Sequence, residues 1–124
     1  MRIVLDTNVL ISATLWDNSV SQKLLYKLIL NEVEIYSSLE ILREYRKVLK
    51  RDFEYLEEEV DRKIEILLIF LKIVNPHSKV DIVKEDPEDN KIINCALDSS
   101  ASHILTYDNH LLKINLAAST RRLE

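Results

Sequence analysis

Two aspartates each follow a short apolar run that predicts a buried strand. Asp6 comes directly after residues 3–5, and Asp108 lies just beyond residues 103–106. Because ligands of an open parallel sheet bind beyond the carboxyl ends of its strands, this placement predicts a shared site. Each aspartate taken alone fits a solvated loop or a helix cap equally well. Polar side chains stand beside both aspartates: Thr7, Asn8, Thr106 and Asn109.

A third aspartate, Asp89, precedes the apolar residues of a predicted helix. It lies three residues before Ile92 and seven before Ala96, which places it on the buried face of that helix. A carboxylate on such a face is costly unless another group neutralises it. The alternative is that Asp89 only favours the helix N-terminus, where its charge meets the helix dipole.

A fourth carboxylate, Glu44, borders the apolar stripe of another predicted helix. It comes three residues after Ile41 and four before Val48. From spacing alone, we favour a surface glutamate that pairs with one of its basic neighbours over a site residue. Those neighbours are Arg43, Lys47 and Arg51.

Four carboxylates around one cleft predict a site for Mg²⁺ or Mn²⁺, because both cations prefer oxygen ligands. Sites of this kind typically serve phosphate chemistry. We interpret Cys95 as a packing residue within a helix. The three histidines lack a positioned nucleophile, and we interpret all of them as surface or packing residues: His77, His103 and His110.

Composition narrows the function classes further. The chain is 47% hydrophobic and 31% charged, with a net charge of −4, which is typical of an ordinary globular domain. It contains no glycine, so glycine-rich phosphate loops are excluded and turns must use Asn, Asp, Ser or Pro. A single cysteine excludes an internal disulfide. No apolar run approaches a bilayer span, and we expect a cytoplasmic protein without a membrane partner.

The pattern of elements predicts a mostly parallel sheet. Short strands alternate with helices, which implies an α/β fold whose sheet is covered on both faces. We predict a helix over residues 56–73 and a strand over residues 80–83. A capping box at residues 37–40 and an Asp-Pro pair at residues 86–87 predict two helix starts.

Basic residues concentrate in one predicted helix between residues 43 and 51. They could track an RNA backbone. We favour the simpler interpretation that they form the wet face of an amphipathic helix. The residues are Arg43, Arg46, Lys47, Lys50 and Arg51.

Four segments, in order, resemble the acidic motifs of the PIN-domain family. The opening Ile-Val-Leu-Asp-Thr-Asn-Val-Leu-Ile-Ser-Ala of residues 3–13 resembles the first strand and loop. Residues 37–44, Ser-Ser-Leu-Glu-Ile-Leu-Arg-Glu, resemble the second motif. Residues 86–93, Asp-Pro-Glu-Asp-Asn-Lys-Ile-Ile, and residues 103–108, His-Ile-Leu-Thr-Tyr-Asp, resemble the third and fourth. The subgroup most similar is the VapC-like toxin component of prokaryotic toxin–antitoxin systems.

This resemblance implies a three-layer α/β/α sandwich and a Mg²⁺- or Mn²⁺-dependent endoribonuclease that leaves 3′-hydroxyl and 5′-phosphate ends. It implies a homodimer and a cognate antitoxin that inserts side chains into the site. The implied metal-site residues are Asp6, Glu44, Asp89 and Asp108, with Thr7, Asn8 and Thr106 as polar neighbours.

The resemblance divides the chain at residue 114. We interpret residues 1–114 as the PIN-like nuclease domain. Residues 115–124 do not resemble the family's last strand, and we interpret them as an atypical tail, either truncated or vector-derived, to which we assign no element.

Two other classes compete with a nuclease. A non-catalytic PIN scaffold that binds RNA or a protein partner is disfavoured because all four acids are present. A haloacid-dehalogenase-like phosphatase also places an aspartate after its first strand. That family needs a second aspartate two residues later, where this chain has Asn8.

Overall fold

The computed structural model describes residues 1–74, 90–107 and 119–122 of the chain. Strands and helices alternate along it, as the sequence predicted. In chain order the elements are β1 (Arg2–Leu5), α1 (Thr7–Leu15), α2 (Val20–Leu30), β2 (Glu34–Ser38), α3 (Leu39–Phe53), α4 (Glu57–Phe70), β3 (Leu71–Val74), α5 (Asn90–Ser99), β4 (His103–Thr106) and β5 (Ser119–Arg122).

The five strands form one sheet in the order β3-β2-β1-β4-β5, and every neighbouring pair is parallel. The chain builds outward from β1 to β2 and β3, then returns to add β4 and β5 on the other side of β1. The direction of winding therefore reverses between β1 and β4, and open α/β sheets typically bind their ligands at the carboxyl ends of the strands at such a reversal. This reversal is the feature of the fold that positions the candidate site.

Helices cover both faces of the sheet. Right-handed crossovers place α1 to α4 on one face and α5 on the other. The central strand β1 is fully buried at Val4, and Ile104 of β4 is equally buried. Tyr45 of α3 and Ile93 of α5 supply some of the largest fully buried side chains. The predicted three-layer α/β/α fold with a parallel sheet is confirmed.

The predicted helix over residues 56–73 is too long. The helix α4 ends at Phe70, and the next four residues form the edge strand β3, in which Leu71 pairs in register with Ile35 of β2. A run of apolar residues satisfies a helical and an extended pattern equally, so pairing with β2 decides between them. The predicted strand at residues 80–83 and the predicted helix start at residues 86–87 lie outside the described residues.

The strand β5 falls within residues 115–124, to which the sequence analysis assigned no element. It pairs with β4 in the register His103↔Ser119 and Thr106↔Arg122. Its sequence, Ser-Thr-Arg-Arg, has no apolar alternation, so backbone hydrogen bonds to β4 define the strand without a hydrophobic signal. The domain boundary at residue 114 and the origin of the tail stay predictions.

The predicted helix start at residues 37–40 is displaced by one residue, and a single serine cap takes the place of the predicted capping box. Ser38, not Ser37, caps α3, and its Oγ accepts from the Ile41 N–H at 3.3 Å. Ser37 still belongs to β2, because the strand extends one residue further than the capping pattern suggested. Ser19 caps α2 by accepting from the Gln22 N–H at 3.1 Å, as the break at residues 18–19 predicted.

Among the described residues, four adopt the left-handed backbone conformation that glycine favours: Asn18, Glu32, Glu54 and Ser100. Asn and Ser at such positions agree with the turn chemistry expected of a glycine-free chain. The two glutamates do not, since a Cβ makes this conformation costly for most residues.

Among the described helices, none combines the length and apolarity that a bilayer crossing requires.

Candidate active site

Asp6 lies at the carboxyl end of the central strand, where the winding reverses. Its side chain is buried, and its backbone N–H donates to the Leu105 carbonyl of β4 at 3.0 Å. The hydroxyl Oγ1 of Thr106 donates to the Asp6 carboxylate oxygen Oδ2 at 2.7 Å, and Thr106 is itself fully buried. The strand ends of β1 and β4 therefore join one carboxylate to one hydroxyl.

The Asp6 carboxylate lies beside the start of α1. Asp6 is the N-cap of α1, and its carbonyl accepts from the N–H groups of Val9 and Leu10 at 3.0 and 3.1 Å. The positive end of the helix dipole is therefore adjacent to the carboxylate. A buried carboxylate requires such compensation, because removing its charge from water is costly.

The two residues after Asp6 differ in exposure. Thr7 is buried, and its Oγ1 has no hydrogen-bond partner within the part of the chain that the structure describes. A buried hydroxyl without a partner indicates a place for a water or another polar ligand. Asn8 is exposed on the first turn of α1. Of the three predicted polar neighbours, Thr106 contacts Asp6 directly.

Glu44 lies on α3 and forms an ion pair that the sequence analysis missed. Its Oε2 is 2.6 Å from the Lys91 Nζ of α5. The side chain of Lys91 is only 9% exposed, and that of Glu44 is 25% exposed. The expected partners on α3 were wrong, because the pairing joins two helices rather than neighbours on one.

A signal for Lys91 was present in the sequence. It lies four residues before Cys95 and directly before Ile92, both fully buried in α5. A lysine on the buried face of a helix requires a carboxylate partner, by the same argument that singled out Asp89. Spacing cannot name that partner, because Glu44 belongs to a different helix.

The other two predicted carboxylates, Asp89 and Asp108, lie outside the described residues. Their neighbours in sequence, Asn90 and Tyr107, begin α5 and follow β4. Over residues 1–74, 90–107 and 119–122, no three His, Cys, Asp or Glu side chains form a group suited to a metal. The described residues thus supply Asp6 and Glu44, part of the predicted set of four.

The donors that are described fit a hard divalent cation. Asp6 and Glu44 offer carboxylate oxygens, and the partnerless buried hydroxyl of Thr7 offers another oxygen beside Asp6. Mg²⁺ and Mn²⁺ prefer such oxygen ligands and retain several waters. Within the described site these residues are the ones that would hold a cation.

Competing nucleophiles find no support among the described residues. Burial, and secondarily Asp98, raise the pKa of the Cys95 thiol from 9.0 to about 12, so it is protonated at neutral pH. His103 lies at the amino end of β4, whereas Asp6 follows the carboxyl end of β1. The His103 Nδ1 is 3.0 Å from the Ser102 Oγ. His77 and His110 lie outside the described residues.

Ion pairs account for most of the basic residues on α3. Arg46 contacts Glu57 and Asp61 of α4, the latter at 2.7 Å, and Lys50 also contacts Glu57. Arg51 pairs with Asp52, its neighbour on α3, at 2.7 Å. These contacts favour the interpretation that the basic residues form the solvent-exposed face of an amphipathic helix. They do not favour a surface that follows an RNA backbone.

Comparisons with known proteins agree with this geometry. A family model for the PIN domain matches residues 2–110. An uncharacterized protein of Methanocaldococcus jannaschii is 33% identical over 119 residues, which cover 92% of this chain and 75% of that protein. The crystal structure of VapBC2 from Rickettsia felis, bound to a DNA fragment from its own promoter, contains a chain with the same fold. Its TM-score is 0.75 over 100% of both chains, at 18% identity.

The parallel α/β/α fold with an acid at the end of its central strand is that of a PIN domain. The chain belongs to the PIN-domain family, by a match that spans nearly its whole length.

Proposed function

We propose that this protein is a divalent-metal-dependent endoribonuclease that acts in the cytoplasm as the toxin of a toxin–antitoxin pair. The observation that carries the proposal is the buried Asp6 carboxylate at the point where the winding of the sheet reverses, held by Thr106. A fixed, buried carboxylate at this edge is suited to binding a cation. Membership of the PIN-domain family supports a nuclease.

In this proposal four carboxylates hold Mg²⁺ or Mn²⁺: Asp6, Glu44, Asp89 and Asp108. When bound, the cation supplies Lewis-acid stabilisation of the phosphate and acidifies water for hydrolysis of the RNA phosphodiester. Thr106 fixes the orientation of the Asp6 carboxylate through its donated hydrogen bond. The burial of both residues excludes bulk water from that side of the site.

The proposed partners are RNA as substrate, a cognate antitoxin and a second copy of the chain in a homodimer. Support for the antitoxin comes from the similar fold found in VapBC2, which is bound to a DNA fragment from their promoter. The sequence resemblance to VapC-like proteins supports the same partner. We propose cleavage that leaves 3′-hydroxyl and 5′-phosphate ends.

The experiment that tests the proposal compares RNA digestion by the parent protein with digestion by Asp6→Asn. We expect Asp6→Asn to abolish Mn²⁺-dependent cleavage while the fold persists, because asparagine keeps an oxygen that Thr106 can donate to but loses the charge. Asp17→Asn is the matched control, since Asp17 is an exposed carboxylate beyond the C-terminal end of α1 and accepts a hydrogen bond from the Gln22 side chain at 3.4 Å.

Chelator should abolish cleavage by the parent and by Asp17→Asn. Equal cleavage by the parent and Asp6→Asn at matched Mn²⁺ would contradict the catalytic proposal. A parent protein that binds RNA but cleaves none under any condition would instead support a non-catalytic PIN scaffold.

A further inference from the structure

The buried ammonium group of Lys91 lies beside Glu44, one of the candidate metal-site carboxylates. The Lys91 Nζ is 2.6 Å from the Glu44 Oε2, a distance typical of a charge-assisted hydrogen bond. Only 9% of the Lys91 side chain is exposed. Burying an ammonium to this extent is unfavourable without a close anion, so the pair is a built part of the fold rather than a loose surface contact.

The position of this pair in the fold relates it to the candidate site. The helix α3 starts directly after β2, at the carboxyl edge of the sheet, and Glu44 follows within its second turn. Lys91 is the second residue of α5, which lies on the opposite face and contacts α3. The ion pair therefore joins the two helical layers near the edge that carries Asp6.

The two described carboxylates are each contacted by a different group. Asp6 receives a neutral hydroxyl hydrogen bond from Thr106 and faces the N-terminus of α1. Glu44 receives a full positive charge from Lys91. A divalent cation that approaches Glu44 must therefore share it with, or take it from, an ammonium that is already in place.

We propose that Lys91 is a positioning residue of the site. It holds the Glu44 carboxylate in place before a divalent cation binds, and it competes with that cation for Glu44. The proposal rests on the proposed function, because it assumes that a cation binds at this edge.

Two opposite effects follow from removing the ammonium. The site gains one net negative charge, so its attraction for a cation increases. Glu44 also loses the hydrogen bond that orients it, so the bound cation and the substrate are held less well and cleavage slows. Tighter metal binding combined with slower cleavage is a result that general damage to the fold would not produce.

The experiment measures the dissociation constant of Mn²⁺ alone by calorimetry, without RNA, and cleavage separately. We expect Lys91→Met to bind Mn²⁺ about tenfold more tightly than the parent and to cleave RNA more slowly. Lys91→Arg keeps the charge and should bind Mn²⁺ as the parent does. Glu44→Gln should bind Mn²⁺ more weakly.

The double variant Glu44→Gln/Lys91→Met tests whether Lys91 acts through Glu44. We expect Lys91→Met to raise Mn²⁺ affinity less in the Glu44→Gln background than in the parent, because part of its effect is to release the Glu44 carboxylate. This variant also removes both buried charges together, which a fold tolerates better than the loss of one. It therefore keeps the test available if Lys91→Met does not fold, with Lys91→Arg as the folded reference.

The outcomes separate this inference from the proposed function. Unchanged or weaker Mn²⁺ binding by Lys91→Met, while Asp6→Asn loses Mn²⁺ binding and cleavage, would overturn the role of Lys91 alone. In the double-variant arm, a gain in Mn²⁺ affinity over Glu44→Gln as large as the gain of Lys91→Met over the parent would also overturn it. A parent protein that binds no Mn²⁺ would overturn both proposals.

Discussion

The hydroxyl of Thr106 and the carboxylate of Asp6 restrain each other at the ends of adjacent strands. Both side chains are buried, and a single 2.7 Å hydrogen bond joins Oγ1 to Oδ2. A β-branched threonine has few rotamers available in a strand, so its hydroxyl is fixed before any ligand arrives. This pair supplies orientation, whereas the charge comes from Asp6 alone.

The first prediction at this scale concerns Thr106→Val. Valine keeps the volume and β-branching of threonine but donates no hydrogen bond, so the Asp6 carboxylate loses its restraint. We expect Mn²⁺-dependent RNA cleavage to fall about ten- to hundredfold, as for other residues that orient metal ligands. Steady-state cleavage rates at saturating Mn²⁺ measure this effect.

Thr106→Ser is the matched control, because it retains the hydroxyl and should keep most of the activity. Circular dichroism should show the parent's helix and sheet content in both variants. Parent-like cleavage by Thr106→Val would show that the hydrogen bond to Asp6 has no part in catalysis.

Individual residues of the site were predictable to different degrees. Asp6 and Thr106 could be chosen because each ends an apolar run, and a parallel sheet brings such ends to one edge. The partner of Glu44 was predicted wrongly, since local spacing offers only residues of the same helix. Lys91 belongs to a helix on the other face of the sheet, and only the assembled tertiary structure brings it to Glu44.

At the scale of elements, α3 is stabilised along its length by different means. Ser38 caps its start, ion pairs to α4 join its exposed face, and Tyr45 packs from its buried face into the core. Its end is less favourable. Glu54 stops the helix in the left-handed conformation, at φ 56° and ψ 31°, with its N–H donating to the Leu49 carbonyl.

We expect Glu54→Gly to stabilise the protein. Glycine adopts the left-handed conformation without a Cβ penalty, and this gain exceeds the extra freedom that glycine gives the unfolded chain. The net increase in the free energy of unfolding should be about 0.5 kcal/mol. Urea denaturation monitored by circular dichroism measures it.

Glu65→Gly provides the comparison, since Glu65 is an exposed residue within α4. Glycine there should lower the free energy of unfolding by about 1 kcal/mol. If both substitutions destabilise the protein equally, the left-handed conformation at Glu54 carries no strain that glycine can relieve.

Elements with their own apolar pattern were predicted well, and elements defined by their neighbours were not. The strand β1 is a short continuous apolar run, and the helix α3 carries an apolar stripe of period 3.6. The strand β3 was merged into the preceding helix, because Leu71 and Ile73 also continue a helical stripe. The strand β5 was missed, because its polar sequence leaves only backbone pairing to define it.

At the scale of the whole molecule, two buried side chains that can lose a proton, the Cys95 thiol and the Tyr45 phenol, stay protonated. Burial raises the pKa of the Cys95 thiol to about 12. Burial also raises the pKa of Tyr45 above 10.0, although the Thr14 hydroxyl that is hydrogen-bonded to it acts in the opposite direction. Both groups keep their protons in the folded state at pH values where the unfolded chain releases them.

The stability of the folded protein should therefore fall in alkali. At about pH 7.5 and below, both groups are almost fully protonated in both states and contribute almost no pH dependence. As pH rises from about 9 toward 12, Cys95 ionises only in the unfolded chain, so the free energy of unfolding decreases. Urea denaturation at pH 7.5 and at about pH 10.5 measures the change.

Cys95→Ala is expected to reduce this alkaline loss, leaving the contribution of Tyr45. An equal loss in the parent and in Cys95→Ala would mean that the thiol is no harder to ionise in the folded protein than in the unfolded chain.

The architecture as a whole was the most predictable level. Alternating strands and helices predicted a parallel sheet with helices on both faces, and the structure has this fold. The reversal of strand order between β1 and β4 could not be derived from periodicity, which carries no information on which strands are neighbours. That order brings Thr106 into contact with Asp6.

The contact between Asp6 and Thr106 also sets the order in which the protein acquires its site during synthesis. The two residues are 100 positions apart in the sequence. A ribosome makes Asp6 almost at once, and β2 becomes available to pair with β1 well before β4 exists. Any partial chain that ends before residue 103 carries the aspartate without the strand and hydroxyl that hold it. Translation therefore delays assembly of the candidate site until β4 has emerged.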